Sequence, residues 1–408
     1  MKKVLWVTAT PFKFHKILLG QNDSCLYTGS WLNASLDIIK QQYEIELHIV
    51  TIDATHNYIC GQEEGVYYHV LPKYSKKGYN IDSKKVVESW SNFRDQLHPD
   101  IIHIWGTEST IALVASRIFK GSPIIVFMQG FIDVIKQHYY DGMPYFYRYS
   151  TIRDFFNQYR YKKQSLIERE ILNNATAAIV ENSWGESLLI SINPNIAVHK
   201  VQLPIRKLFY NNKWDDQNYD QCVLFTNAGG YPIKGHHILF KALSIVKKTY
   251  PNVKLIIPGP RLDEYNSFIR KTGYIIYLKQ LIKKHNLQNN IEYIGTISGD
   301  EMIKRLKKCN AYIMPSVSEN HSASLIEALL LGVPCISSCV GETINHIQNG
   351  RNGFLYNSID WNSLAGLIIK ILSDTELSKS IGREALNMQT SRNEDFGEKI
   401  LRIYKSIC

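Results

Sequence analysis

The chain has 408 residues, of which 45% are hydrophobic and 21% are charged, and its formal net charge is +10. This length exceeds what one hydrophobic core usually supports, so the composition favours a globular protein of two domains. No stretch approaches the roughly 20 apolar residues of a membrane-spanning helix, and the first apolar run is too short for a secretory signal. Seven scattered cysteines without metal-ligand spacing favour a reducing compartment. The basic clusters are short, which argues against nucleic-acid binding.

Apolar runs typical of buried strands alternate with helix-like segments through the first half of the chain. The strand-like runs are residues 4–7, 45–52, 101–105, 124–128 and 177–180, and the intervening helix-like segments are residues 32–40 and 111–119. This alternation predicts an α/β fold with a doubly wound parallel sheet and helices on both faces.

Polar and aromatic residues follow three of these strands. Gly29 and Ser30 precede the first predicted helix, Trp105 and Glu108 lie at the end of the third strand, and Gln129 follows the fourth.

The same pattern restarts after a polar stretch at residues 211–221. The second set of predicted strands is 223–226, 253–258, 291–294, 311–314 and 334–338, and the second set of predicted helices is 237–250, 274–285 and 299–308. We therefore expect one domain at residues 1–205 and a second at 206–389, with the hinge near 206–220. Residues 396–407 have helical apolar spacing and are expected to form a C-terminal helix.

A glycine-rich loop joins the first strand and first helix of the second domain. Gly230 permits close approach of a ligand to the backbone, and Lys234 places a positive charge near the start of the helix. This arrangement suits a diphosphate group. The alternative interpretation is a glycine turn that carries a surface lysine.

Residues 315–334 form the most informative segment of the chain. Glu319 and Glu327 flank a small polar loop that opens into a helix, and the loop consists of Asn320, His321, Ser322, Ala323 and Ser324. Free N–H groups at a helix N-terminus suit phosphate or sugar oxygens. Ser324 and Glu327 also fit a capping box, in which Glu327 only closes the helix start and Glu319 is an ordinary solvated acid.

These motifs resemble those of family 4 retaining glycosyltransferases. The resemblance rests on the Glu-x7-Glu signature at 319–327, the Pro-Ser before it, the Glu-Ala-x-x-x-Gly-x-Pro after it, and the Lys-Gly element at 234–235. It implies the GT-B fold, in which two Rossmann-like domains face each other across a cleft and a C-terminal segment, here 390–408, packs back on the N-terminal domain. The implied reaction moves a sugar of hexosyl type from a nucleotide diphosphate sugar with retention of anomeric configuration.

The resemblance also implies roles for the candidate residues. Glu319 and Lys234 are expected to be catalytic, and Glu327 is expected to hold the nucleotide ribose. The remaining donor-binding residues are expected to be Gly29, Ser30, Gly230 and the loop from Asn320 to Ser324. The family often carries an arginine where this chain has residues 227–230, and Arg261 is a candidate substitute. Acceptor binding is expected from Trp105, Glu108 and Gln129, and neither a metal nor a cofactor is expected.

Relatives of this kind mostly build capsule, exopolysaccharide or lipopolysaccharide, so the expected partners are a nucleotide sugar donor and a glycan or lipid-linked acceptor. We expect a cytoplasmic protein, and the positive charge is compatible with peripheral attachment to the inner membrane. Two alternatives stay open at this point. One is a sugar-nucleotide epimerase on the same scaffold, and the other is a non-catalytic subunit that binds a nucleotide sugar.

Overall fold

The computed structural model describes residues 1–21, 29–74, 79–215, 222–265, 267, 271–388 and 396–407. The chain divides into two compact units. The first comprises Met1–Ile132, Lys162–Pro204 and Arg392–Cys408, and the second comprises Asp133–Tyr161 and Ile205–Ser391. Parts of the predicted polar stretch (216–221) and of the predicted C-terminal segment (390–395 and 408) lie outside the described residues.

An eight-stranded sheet forms the centre of the first unit. Its strands are β1 (Lys2–Thr8), β2 (Ile45–Asp53), β3 (Ile59–Glu63), β4 (Val66–Pro72), β5 (Ile101–Trp105), β6 (Ile124–Phe127), β7 (Ala177–Val180) and β8 (Ala197–Lys200). The strand order is β3-β4-β2-β1-β5-β6-β7-β8, and all neighbours are parallel except β3 and β4. The strands β5, β6 and β7 are buried along their whole length, as expected for strands covered on both faces.

The second unit has a six-stranded sheet with all neighbours parallel. Its strands are β9 (Val223–Thr226), β10 (Lys254–Ile257), β11 (Ile291–Tyr293), β12 (Ala311–Met314), β13 (Cys335–Ser338) and β14 (Phe354–Tyr356), and their order is β11-β10-β9-β12-β13-β14. In register, Ile313 of β12 pairs with Thr226 of β9 and with Ile336 of β13. The loops after these three central strands therefore emerge at one edge of the sheet.

Helices connect the strands in both units. They are α1 (Lys13–Leu18), α2 (Ser30–Ile39), α3 (Lys84–Leu97), α4 (Thr110–Ile118), α5 (Ile132–His138), α6 (Tyr145–Arg148), α7 (Ile152–Asn174), α8 (Ser183–Ile192), α9 (His236–Thr249), α10 (Gly273–Lys284), α11 (Gly299–Lys308), α12 (Ala323–Leu331), α13 (Thr343–His346), α14 (Trp361–Ser373), α15 (Thr375–Met388) and α16 (Phe396–Ser406). Short 3-10 helices lie at Lys207–Phe209, Pro232–Lys234 and Leu262–Tyr265. No helix within the described ranges is both long enough and apolar enough to cross a bilayer.

The predicted α/β class with parallel sheets is confirmed. Every strand predicted from an apolar run is present, with ends shifted by two residues at most. The strands β3, β4, β8 and β14 were not predicted. β3, β8 and β14 lie at sheet edges, whereas β4 is a largely buried interior strand. The helices α1, α3, α5, α6, α7, α8, α13, α14 and α15 were not predicted either, and α7 is the longest helix in the described part of the chain.

Residues 133–161 group with the second unit, although the sequence-based division places them in the first domain. The ring of Tyr147 stacks on Tyr277 of α10 with centroids 4.8 Å apart. The backbone N–H of Gly273 donates to the Asp154 carboxylate at 3.0 Å. These contacts join segments more than 100 residues apart, so no local pattern in the sequence indicates them.

The C-terminal helix α16 packs within the first unit. Its Phe396, Ile400 and Tyr404 are buried in the same core as Trp6. The Tyr404 hydroxyl accepts a hydrogen bond from Trp6 Nε1 at 3.0 Å and lies 2.6 Å from His103 Nδ1. This network ties the end of the chain to β1 and β5.

Candidate functional site

The loop after β9 lies directly against the end of β12. Gly235 has a φ of +68°, and a Cβ atom there would lie 1.7 Å from the carbonyl oxygen of Pro315. Only glycine fits both this backbone conformation and this close approach. The approach brings Lys234, the residue before the glycine, to the segment that carries Glu319.

Lys234 and Glu319 form an ion pair in the second unit. The Lys234 Nζ lies 2.8 Å from Glu319 Oε2, and the Ser316 hydroxyl donates to the same oxygen at 3.1 Å. The two charged side chains are 19% and 12% exposed, so the pair is shielded but still reachable. Burial opposes the charge of Lys234, but the neighbouring carboxylate outweighs it and raises the pKa of Lys234. The site therefore holds a permanent cation beside an anion that can accept hydrogen bonds.

Glu327 is buried within α12 and paired with Arg206. Its side chain accepts a hydrogen bond from Arg206 Nε at 2.7 Å, and the guanidinium lies over the ring of Phe209 at 4.7 Å. Burial raises the pKa of Glu327, and the arginine opposes this shift. The capping-box interpretation is wrong, because Ser322 is the N-cap of α12 and accepts from the N–H of Leu325. Glu327 lies in the helix interior, where it closes no helix start.

The loop from Asn320 to Ser324 begins α12 beside a second acidic group. His321 Nδ1 lies 3.5 Å from Glu342 Oε2, and His346 Nε2 lies 3.1 Å from Glu342 Oε1. Burial would raise the pKa of Glu342, but hydrogen bonds from the two histidines hold it at about 2. Ser324 accepts a hydrogen bond from the Tyr312 hydroxyl at 2.7 Å.

The sequence analysis missed Glu342 and His346. A signal was present, because Glu342 lies four residues after strand β13, in the loop at the carboxyl end of that strand. An acid and a histidine four residues apart also lie on one side of a helical turn. The same reasoning that selected Glu319 therefore applies to them.

A cavity of about 530 Å³ opens beside Gly230 in the second unit. Its lining is aromatic and basic, and it consists of Tyr139, Arg153, Asn157, Arg160, Tyr161, Gly230, Tyr231, Pro260, Glu264, Tyr265 and Thr272. Arg261 is exposed and does not belong to this lining, and its backbone N–H donates to Glu264. Two arginines of α7, Arg153 and Arg160, thus line the same cavity as Gly230. Neither was predicted from the sequence.

The first unit has its own cavity, of about 420 Å³, at the carboxyl ends of β1, β5 and β6. Its lining consists of Thr8, Ala9, Thr10, Trp31, Leu32, Trp105, Glu108, Ser109 and Gln129. The structure therefore brings together the three residues predicted to bind an acceptor. Gly29 lies close by, since a Cβ atom on it would be 3.5 Å from the Thr10 methyl group, and Ser30 begins α2.

Glu108 occupies space that Gly106 leaves open. A Cβ atom on Gly106 would lie 2.3 Å from Glu108 Oε2 and 3.1 Å from the Gln129 amide. Burial raises the pKa of Glu108 to about 7, so this carboxyl changes charge near neutral pH. The indole N–H of Trp105 is buried and has no hydrogen-bond partner within the described part of the chain. The cavity therefore offers one titratable group.

Comparison with known proteins places the second unit in a family. Residues 213–388 match the model of the family described as glycosyl transferases group 1. The chain is 25% identical over 352 residues to an uncharacterized glycosyltransferase of Methanocaldococcus jannaschii. The aligned region covers 85% of each protein. It is 30% identical over 149 residues, 36% of each protein, to the capsular polysaccharide biosynthesis glycosyltransferase CapM of Staphylococcus aureus.

Solved structures share the fold over the whole chain. Sucrose-phosphate synthase from Thermosynechococcus elongatus gives a TM-score of 0.71 at 16% identity, with 100% of this chain and 99% of that chain covered. Anabaena HepE in complex with UDP and glucose gives 0.70 at 16% identity, with both chains fully covered. The fold class is therefore GT-B, with two α/β domains built on parallel sheets. Residues 213–388 therefore carry a group 1 glycosyltransferase domain, and the protein is a glycosyltransferase.

Proposed function

We propose that this protein is a retaining glycosyltransferase of family 4 that moves a sugar from a nucleotide diphosphate sugar to a glycan or lipid-linked acceptor. The proposal rests on the Lys234–Glu319 ion pair beside the N-terminus of α12. Anabaena HepE was solved with UDP and glucose, and the name of CapM refers to capsular polysaccharide. The first supports a donor of this type, and the second supports a role in cell-surface polysaccharide synthesis. We propose that the protein acts at the cytoplasmic face of the membrane.

Electrostatic stabilisation is the main chemistry that this site offers. When the donor's sugar bond breaks, negative charge grows on the departing phosphate, and Lys234 stabilises that charge. Glu319 accepts hydrogen bonds from the hydroxyls of the transferred sugar, and the N–H groups at the start of α12 add a positive dipole end. Arg206 fixes the carboxylate of Glu327, which we assign to the nucleotide ribose.

Two substitutions test these assignments. Glu319→Gln is expected to lower the turnover number by roughly 10²- to 10³-fold, the range found when one transition-state contact is lost. Lys234→Ala is expected to weaken UDP affinity, measured by calorimetry, by about tenfold or more, because a cation is removed from the phosphate site. Both assays contain EDTA, since the proposed reaction takes its positive charge from Lys234 and needs no metal.

Lys248→Ala is the matched control, because this lysine lies exposed at the other end of α9. It is expected to leave both quantities unchanged. Unchanged UDP affinity in Lys234→Ala would remove the lysine from the phosphate site. Release of an epimerised sugar without an acceptor, or a transferred sugar with inverted anomeric configuration by NMR, would contradict the proposed reaction.

We assign the second phosphate contact to an arginine of α7. Arg153 and Arg160 line the same cavity as Gly230, whereas Arg261 is exposed outside it. Arg153→Ala or Arg160→Ala is expected to weaken UDP binding several-fold, and Arg261→Ala is expected to leave it unchanged. Calorimetry on the three variants decides between the two locations, and a loss confined to Arg261→Ala would restore the earlier assignment.

The cavity of the first unit is the proposed acceptor site. Trp105 contributes to the apolar lining, Glu108 supplies a carboxyl group, and Gln129 supplies an amide. Sugar rings pack on aromatic faces and exchange hydrogen bonds with groups of this kind. We propose that these three residues orient the acceptor hydroxyl.

A further inference from the structure

A group of seven exposed apolar side chains, six of them aromatic, lies on α6, on the first part of α7 and on the segment between them. We call it the aromatic face, and it consists of Tyr145, Phe146, Tyr149, Ile152, Phe155, Phe156 and Tyr159. Their exposed fractions run from 37% at Tyr149 to 77% at Phe146. The rings of Tyr145 and Tyr149 are 5.4 Å apart, and those of Tyr149 and Phe155 are 5.6 Å apart. A contiguous apolar surface of this kind marks a site of interaction.

The polarity of α7 is inverted along its first ten residues. Four positions of the aromatic face lie within an arc of about 100° on this helix, at 3.6 residues per turn; they are 152, 155, 156 and 159. The polar residues Asp154 and Asn157 are 2% and 8% exposed. Asp154 accepts hydrogen bonds from the Gly273 N–H and the Thr151 hydroxyl. The helix thus binds its own protein through polar groups and presents its apolar side outward.

The packing of α6 fixes the aromatic face in place. Phe146 and Tyr149 are exposed, but the ring of Tyr147, which lies between them in the sequence, turns inward and stacks on the ring of Tyr277. Arg148 donates from Nε and Nη2 to the carbonyl oxygen of Met143 at 3.0 and 2.9 Å. The exposed rings are therefore displayed on an ordered support.

The surrounding charge indicates the partner. Residues 145–163 contain one acid, the buried Asp154, and five basic residues, which are Arg148, Arg153, Arg160, Lys162 and Lys163. On the helix, Arg153 and Arg160 lie on one side of the apolar arc and Lys162 lies on the other. A second copy of the chain would bring like charges together, since the whole protein carries +10. An anionic bilayer complements both the charge and the apolar surface.

We propose that the aromatic face docks the protein onto an anionic lipid bilayer. The rings enter the interfacial layer, and those flanking basic side chains that do not hold the nucleotide reach the lipid phosphates with their apolar stems along the rings. This inference extends the peripheral location within the proposed function and assigns it to a surface. Its test uses no transfer activity, so it can fail while the proposed reaction stands.

Flotation with lipid vesicles tests the proposal on the full chain. One set of vesicles contains phosphatidylglycerol and phosphatidylethanolamine, and the other contains phosphatidylcholine alone. The variant Phe146→Ser/Phe155→Ser/Phe156→Ser removes three exposed rings, and the control Tyr43→Ser/Ile190→Ser/Ile344→Ser removes three exposed apolar side chains elsewhere. We expect the wild type and the control to bind the anionic vesicles and not the phosphatidylcholine vesicles. We expect the first variant to bind the anionic vesicles at least tenfold more weakly than the wild type does.

The UDP affinity of each variant is measured by calorimetry as a check that the second unit is intact. We expect each variant to bind UDP with the affinity of the wild type. Equal vesicle binding by the first variant and the wild type would overturn the proposal. So would absence of wild-type binding, or equal wild-type binding to both kinds of vesicle. A wild-type dimer that the first variant converts to a monomer in light scattering, without vesicle binding, would assign the face to a second copy instead.

Discussion

Lys234 and Glu319 show how one backbone position creates a charged site. The two residues are 85 positions apart, and the absence of a side chain at Gly235 allows their loops to meet. Once they meet in a shielded location, each stabilises the charge of the other. A ligand that carries both a phosphate and sugar hydroxyls can then share this pair.

Gly235→Ala is expected to destabilise the protein and weaken UDP binding. The left-handed backbone costs a non-glycine residue roughly 1–2 kcal/mol, and the new methyl group would also contact the Pro315 carbonyl. Gly350→Ala is the matched control, because its φ is +80° and no atom lies within 4 Å of the added Cβ. Chemical denaturation and calorimetry should show a larger loss for Gly235→Ala. Equal losses would mean that the close approach is not needed.

The helix α12 combines a polar start with a buried acidic interior. Ser322 satisfies the first turn, the apolar residues of α12 pack in the core, and Glu327 requires a partner from outside the helix. Arg206, just before the 3-10 helix Lys207–Phe209, provides it. This contact explains why an arginine in the segment between the predicted domains matters to a residue 121 positions later.

Arg206→Ala is expected to lower the free energy of unfolding by about 2–4 kcal/mol, because it leaves a buried carboxylate unpaired. The double variant Arg206→Ala/Glu327→Gln is expected to recover part of the loss, since a neutral amide is cheaper to bury. Urea denaturation of both variants measures the difference. If the double variant is no more stable than the single one, the pair does not set the stability of this helix.

Across the whole molecule, the buried carboxyl groups of the candidate sites differ in whether a cation lies beside them. Glu319 and Glu327 of the second unit have cationic partners, whereas Glu108 in the first unit has its pKa raised by burial. A carboxyl whose folded pKa lies above its unfolded value binds a proton more tightly in the folded state. Stability then falls as pH rises from about 4.5 to about 7.

Glu108→Gln is expected to remove this component of the pH dependence. The amide resembles the protonated acid, so the variant should gain stability relative to the wild type above pH 7 and little below pH 4.5. Thermal unfolding of both proteins across this range measures the effect. Glu376→Gln, an exposed acid on α15, is the control. A constant difference between wild type and Glu108→Gln at all pH values would show that Glu108 does not titrate near neutrality.

Much of the fold and part of the site could be predicted from the sequence. Apolar runs located the buried strands, because a parallel strand is covered on both faces and reads as continuous hydrophobicity. Lys234 and Glu319 were selected in loops that follow such strands, and Trp105 was selected at the end of one. Local sequence carries this information, since strand ends and glycine turns are local features.

Tertiary structure decided the remainder. The pairing of Arg206 with Glu327, the assignment of residues 133–161 to the second unit, and the cavity between α7 and Gly230 all join distant segments. The first ten residues of α7 have a polar buried side and an apolar exposed side, which reverses the usual pattern. Periodicity reveals that two sides of a helix differ, but only packing against the rest of the protein decides which side faces water.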